Sequence, residues 1–170
     1  MLDVGSFIGL QTQLIEAHDP KSMTLLEPDA NAISGLRGAF QADNVDFVCE
    51  DLFLYLEKPR KFDVVVMCGV LYHFHSPIYA LELIANRISP EYLLLETFCT
   101  GGGITSHYED DGMPGYRQIA KGWKSAKIGI KIDKETIIQS MENLGYKLEV
   151  CDTTIIKNGI PPVFFVFKKI

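Results

Sequence analysis

With 170 residues, the chain suits one domain with a sizeable core, and its make-up, 47% hydrophobic and 22% charged, is that of an ordinary globular protein. The formal net charge of −6 argues against a large nucleic-acid footprint, which needs a basic face, though it leaves room for a local basic patch. No apolar run approaches the roughly 20 residues that span a bilayer, and Asp3 stands where a secretory signal would be basic, so the cytoplasm is the expected compartment, with no membrane partner.

In chain order, the apolar runs Leu2–Val4, Met23–Leu26, Val45–Cys49, Phe62–Cys68, Tyr92–Thr97, Lys147–Cys151 and Val163–Phe167 predict seven strands. Helical patterns over 9–18, 29–40, 76–87 and 133–144 lie between them. Ser76 and Pro77 open the third helix, and Asp133 caps the fourth, which stops at Gly145. Strands that are apolar at nearly every position, such as "VVVM" and "YLLLE", suit burial on both faces of a parallel sheet. The last two strands have no helix between them and are expected to run antiparallel. The fold class is therefore α/β: a three-layer sandwich around a mostly parallel seven-stranded sheet with an antiparallel last strand.

The four cysteines lack any C-x-x-C pairing, and three of them end strand-like runs, so reduced and buried thiols are expected. Residues 99–132 fit neither periodicity. A connection that long inside a single domain is a candidate substrate lid at the sheet's carboxyl edge. Within it, "HYEDD" from His107 matches no metal spacing, and no metal is expected. Trp123, with Tyr116, Arg117 and Lys124, either stacks on a ligand or anchors the loop to the core.

The loop after the first strand, Gly5-Ser6-Phe7-Ile8-Gly9, has the glycines that let a ligand approach backbone N–H groups. It lacks the Gly-Lys of a phosphate loop, and Phe7 replaces the middle glycine that a pyrophosphate requires. Glu27, twenty-two residues beyond Gly5 and followed by Pro28, either begins the next helix or accepts hydrogen bonds from a ribose. Asp51, just past the third strand, is placed to meet an adenine amino group. An adenosine without a pyrophosphate is the ligand these residues suit.

On those residues the chain resembles the class I, seven-stranded Rossmann-like methyltransferases that depend on S-adenosylmethionine, over nearly its whole length. "LDVGSFIG", "LLEPD", "CEDL" and "FDVVVMCGVLYHF" resemble four of the family's motifs in order, and "LGYKLEV…FFVFKK" its closing hairpin. "GVLYHFHSP" with "LLLETF" is similar to enzymes that modify the tRNA wobble uridine. "DVGSFIGLQT" and "LEPDANA" are similar to methyltransferases of sugars and natural products.

The resemblance implies S-adenosylmethionine as cofactor and S-adenosylhomocysteine as product. It gives Gly5, Ser6 and Gly9 the methionine portion, Glu27 with Pro28 the ribose, and Asp51 with Leu52 the adenine. Cys68 and Gly69 would pass near the sulfonium, while Asp3 would position the loop or a water, or simply cap the glycine turn. On the acceptor side, His73 is the candidate general base, with Tyr72, His107, Arg117 and Trp123 as candidate substrate contacts. A small-molecule acceptor, such as a saccharide or natural-product intermediate, is expected, with tRNA modification and non-catalytic adenosine binding as the alternatives. The helices that precede the first strand in the family are missing, so the chain is expected to be a minimal enzyme or a fragment. Cover for the cofactor would come from the 99–132 segment or from the partner in a homodimer.

Overall fold

The computed structural model describes residues 1–40, 42–108, 128–153 and 162–170, with the backbone alone for 104–108 and 128–129. The candidates Arg117 and Trp123, together with Tyr116 and Lys124, lie outside the described residues.

Five parallel strands form the frame: β1 (Leu2–Val4), β2 (Met23–Leu26), β3 (Val45–Val48), β4 (Val64–Cys68) and β5 (Tyr92–Thr100). They pair in the order β3-β2-β1-β4-β5. The order reverses at β1, which places the tips of β1 and β4 side by side at the carboxyl edge, where open α/β sheets bind ligands. Beyond β5, the antiparallel pair β8 (Tyr146–Asp152) and β9 (Pro162–Lys169) completes the expected seven, with β9 against Tyr92–Phe98.

Two further strands stand at the ends of the 99–132 segment, where no strand was expected beyond Thr97. β6 (Ile104–Tyr108) and β7 (Ile128–Asp133) pair antiparallel, and β7 joins the end of β5 at Cys99 and Thr100. β5 itself runs to Thr100, so both ends of the 99–132 segment belong to the sheet, which has nine strands in all among the described residues. The cause is written in the alternation Ile128, Ile130, Ile132, a period of two that suits a strand.

Helices α1 (Leu10–Glu16) and α2 (Ala30–Ala39) connect the first three strands. On this face Ile33, Leu36 and Phe40 of α2 and its C-terminal end pack on Met23, Leu25 and Val45. Helices α3 (Leu52–Tyr55), α4 (Pro77–Leu83, continued by a π-turn to Ile88) and α5 (Lys134–Asn143) cover the opposite face over Val65, Met67, Leu93, Leu95 and Phe165. This gives the three layers expected. α3 was not predicted, because four residues show no helical period. Leu10 and Leu14 of α1 are 63% and 72% exposed, so that helix turns an apolar edge to solvent.

The cysteine expectation holds in part. All four are free thiols, but Cys49 and Cys151 are exposed, and Cys68 and Cys99 half-buried. Burial pushes the Cys99 thiol up to about 12, which keeps it protonated at neutral pH. Among the described residues no helix is long and apolar enough to cross a membrane, and no cluster of side chains suits a metal ion.

Candidate functional site

Two carboxylates and a glycine loop make the floor of the site. Asp3 in β1 and Glu27 at the tip of β2 are each only 1% exposed. The loop between β1 and α1 turns on Gly5 (φ 70°) and Gly9 (φ 77°), both in the left-handed region that favours glycine. Phe7, between them, is also left-handed at φ 45°. Gly5 N–H donates to the Leu26 carbonyl (2.8 Å), and Gly9 N–H to the Ser6 carbonyl (2.7 Å).

These glycines answer first to the protein's own packing. A Cβ on Gly5 would sit 2.3 Å from Val70 Cγ2, and one on Gly9 2.6 Å from Phe40 Cε2. The loop is thus clamped between the chain after β4 and the end of α2. Sequence gave no sign of this, since Val70 and Phe40 are distant along the chain.

Glu27 holds the loop from below. Its Oε2 accepts from Phe7 N–H (3.1 Å) and its Oε1 from Asp29 N–H (3.0 Å). Burial pushes its carboxyl above the ordinary value, and those two N–H groups pull it back. A carboxylate has about four lone-pair positions, so acceptor capacity remains for two hydroxyls. Pro28 follows at the tip, its carbonyl 3.7 Å from Cys49 Sγ, which ties the ends of β2 and β3 together.

Asp3 is buried under the loop. Its Oδ2 accepts from Thr12 Oγ1 (2.6 Å), while the Ser6 hydroxyl donates to its backbone carbonyl (3.1 Å). Its Oδ1 is buried without a hydrogen-bond partner. Burial raises the Asp3 carboxyl to about 6, opposed by the Thr12 hydroxyl. A folded-state pKa above the unfolded one stabilises the fold fully below about pH 4 and is lost as pH rises through about 6. The shift from 3.8 to about 6 corresponds to a destabilisation on the order of 3 kcal/mol at neutral pH. Asp3→Asn, which keeps an acceptor for Thr12, should therefore gain on the wild type by roughly that amount between pH 4 and pH 7. Urea unfolding at the two pH values checks this, and a constant difference would mean that Asp3 titrates normally.

Asp51 and Leu52 open α3. Asp51 Oδ1 accepts from Phe53 N–H (2.8 Å) as the helix cap, and the Leu52 side chain is buried in the core, 3% exposed. Contact with a ligand here would use the second oxygen of Asp51 and the backbone at Leu52.

The tips of β4 and β5 form the other wall. Cys68 pairs with Glu96 across the two strands, and Gly69 (φ 72°) donates its N–H to the Glu96 carbonyl (2.9 Å). The position a Gly69 side chain would take lies 3.6 Å from Glu96 Oε2 and 3.7 Å from Tyr72 Oη. Tyr72 and His73 belong to a 3₁₀ turn over Leu71–His73, their rings 4.3 Å apart. Tyr72 also lies 5.3 Å from Phe98, and Lys131 Nζ stands 5.7 Å over the Phe98 ring. Glu96, Phe98 and Lys131 were not anticipated. The backbone of His107 is in β6, away from the β1 loop in strand order.

The site thus brings Asp3, Gly5, Ser6, Gly9, Glu27 and Pro28 together on one side, with Cys68, Gly69, Tyr72 and His73 beside them through the Gly5–Val70 contact. A recess of about 530 Å³ lined by Lys61, Asp63, Ser89, Glu91 and Lys169 lies at the opposite, amino edge, remote from these residues.

A family model described as a methyltransferase domain matches residues 1–149. The chain belongs to this methyltransferase-domain family, and its fold is that of the class I S-adenosylmethionine-dependent methyltransferases. No curated protein matches it. Among solved structures, the N-terminal domain of EvdMO1 with S-adenosylhomocysteine bound superimposes with a TM-score of 0.73 at 18% identity, covering 99% of this chain and 73% of that one. The 1,6-didemethyltoxoflavin-N1-methyltransferase of Burkholderia thailandensis gives 0.72 at 14% identity, covering 99% and 69%. The magnesium protoporphyrin IX methyltransferase of Synechocystis PCC 6803 gives 0.68 at 13% identity, with the same two coverages.

Proposed function

We propose that the chain transfers the methyl group of S-adenosylmethionine to a small-molecule acceptor. The observation that carries this reading is the pair of buried carboxylates, Asp3 and Glu27, flanking a glycine loop at the carboxyl edge. Such a site repels a pyrophosphate and suits a nucleoside whose other end is cationic. The partnerless Asp3 Oδ1 is the kind of group that a bound cation or water satisfies. The two methyltransferases named for toxoflavin and protoporphyrin substrates support a small acceptor, as does the chain's net charge of −6.

In this reading Gly5, Ser6 and Gly9 hold the methionine portion over Asp3. Glu27 and Pro28 hold the ribose, and Asp51 with Leu52 the adenine. Cys68 and Gly69 pass beside the sulfonium, and Tyr72 and His73 stand on the acceptor side. S-adenosylmethionine, when bound, supplies an electrophilic methyl group. The chain's own residues align the acceptor with it and exclude water.

Calorimetric titration with S-adenosylhomocysteine tests the reading, and micromolar binding is expected. A folded protein that binds neither this product nor S-adenosylmethionine would sink it.

A further inference from the structure

Four side chains beside the tip of β4 have no part in holding the nucleoside. Glu96, on β5, reaches to within 3.6 Å of the point where a Gly69 side chain would stand, and Tyr72 Oη to within 3.7 Å. Phe98, two residues after Glu96 on the same face of β5, closes the wall against Tyr72 at 5.3 Å. Lys131 comes from β7, with its ammonium 5.7 Å from the Phe98 ring. All four are part-exposed, and Tyr72 and Glu96 also make contacts within the protein. The wall therefore offers one carboxylate, two aromatic rings and one cation, side by side.

We propose that Tyr72, Glu96, Phe98 and Lys131 form the acceptor subsite, which takes a flat ring carrying an ionisable hydroxyl at one end and a negative charge at the other. This deepens the function proposed above and rests on it. The aromatic pair matches a planar ring. Lys131 attracts the anionic end as a point charge, and Glu96 receives the hydroxyl.

The proton balance favours a carboxylate here. As the acceptor oxygen forms its new bond to the methyl carbon, the sulfur–methyl bond breaks and its electron pair stays on sulfur. An oxygen that gained a methyl group and kept its proton would be a strongly acidic oxonium. Glu96, the carboxylate beside that oxygen's place in the subsite, takes the proton during the transfer and passes it to water. His73, packed on the Tyr72 ring, then positions Tyr72.

The test uses protein saturated with S-adenosylhomocysteine and two probes, 4-hydroxybenzoate and the uncharged 4-hydroxybenzyl alcohol. Calorimetry should show the benzoate binding at least about fivefold more tightly than the alcohol. Lys131→Ala should abolish that preference, and Phe98→Ala should weaken both probes. Ultraviolet titration of the bound benzoate reads its hydroxyl directly. The negative charge of Glu96 should hold the phenol protonated to higher pH in the wild type than in Glu96→Gln. Should the benzoate fail to bind, Lys131→Ala leave the preference intact, or Glu96→Gln leave the phenol titration unmoved, the subsite is wrong. Titrating S-adenosylhomocysteine alone separates the two readings. If it binds while the probes do not, only the subsite falls, and if it does not bind, both fall.

Discussion

Glu27→Ala is expected to weaken S-adenosylhomocysteine binding at least about tenfold while lowering stability as well. Two ribose hydroxyls donating to a carboxylate contribute roughly 1.5–3 kcal/mol each, and one such bond alone accounts for about tenfold. The same carboxylate anchors Phe7 N–H and Asp29 N–H at 3.1 and 3.0 Å. Alanine leaves both donors without their acceptor, which costs about 1–3 kcal/mol for each that stays buried. The two effects separate by experiment: thermal unfolding without ligand reads the anchor, and calorimetry well below the melting point reads the ribose. A folded Glu27→Ala protein with wild-type affinity would leave Glu27 as a clamp for the loop and remove it from the binding site. Because Phe7 N–H and Asp29 N–H both donate to Glu27, ligand held by that carboxylate should also shift both amide resonances in the wild type.

The sheet was legible in the sequence because burial on both faces leaves runs apolar at nearly every position, as in "VVVM" and "YLLLE". The loop was legible because glycine and an acidic residue mark the tips of β1 and β2 at a fixed spacing. What escaped is what depends on neighbours remote in the chain. Glu96 reads in sequence as the polar end of a strand, and only the Cys68–Glu96 pairing brings it beside Gly69 and Tyr72. Lys131 reaches Phe98 only because β7 joins the end of β5. The period of two in Ile128, Ile130 and Ile132 was visible, but it lay inside a stretch rich in glycine and charge that looked like loop. Cys49 lies one residue past β3 and Cys151 one residue before the end of β8, both exposed, so a run of apolar residues before a cysteine did not mean that the thiol was buried.

Gly5→Ala tests whether packing or ligand demands the first glycine. The new Cβ would stand 2.3 Å from Val70 Cγ2, closer than such carbons approach, and the backbone there is held at φ 70°. Left-handed backbone costs a non-glycine residue about 1–2 kcal/mol, and overpacking adds about 1–3 kcal/mol. A loss of about 2–5 kcal/mol follows, a large share of the 5–15 kcal/mol typical of a domain. Val70→Ala in the same chain removes the opposing methyl and should return the overpacking part, leaving the backbone cost. The double-mutant cycle should therefore show a coupling of about 1–3 kcal/mol. Strictly additive losses would mean that the loop and the chain after β4 do not meet as described. The rescued double variant then answers the question about the ligand. If it folds and binds S-adenosylhomocysteine like the wild type, Gly5 is required by Val70 and by its left-handed backbone, and not by the ligand. If it folds and binds at least about tenfold more weakly, the loop backbone at Gly5 also meets the ligand, because a methyl group there would block close approach to its N–H groups.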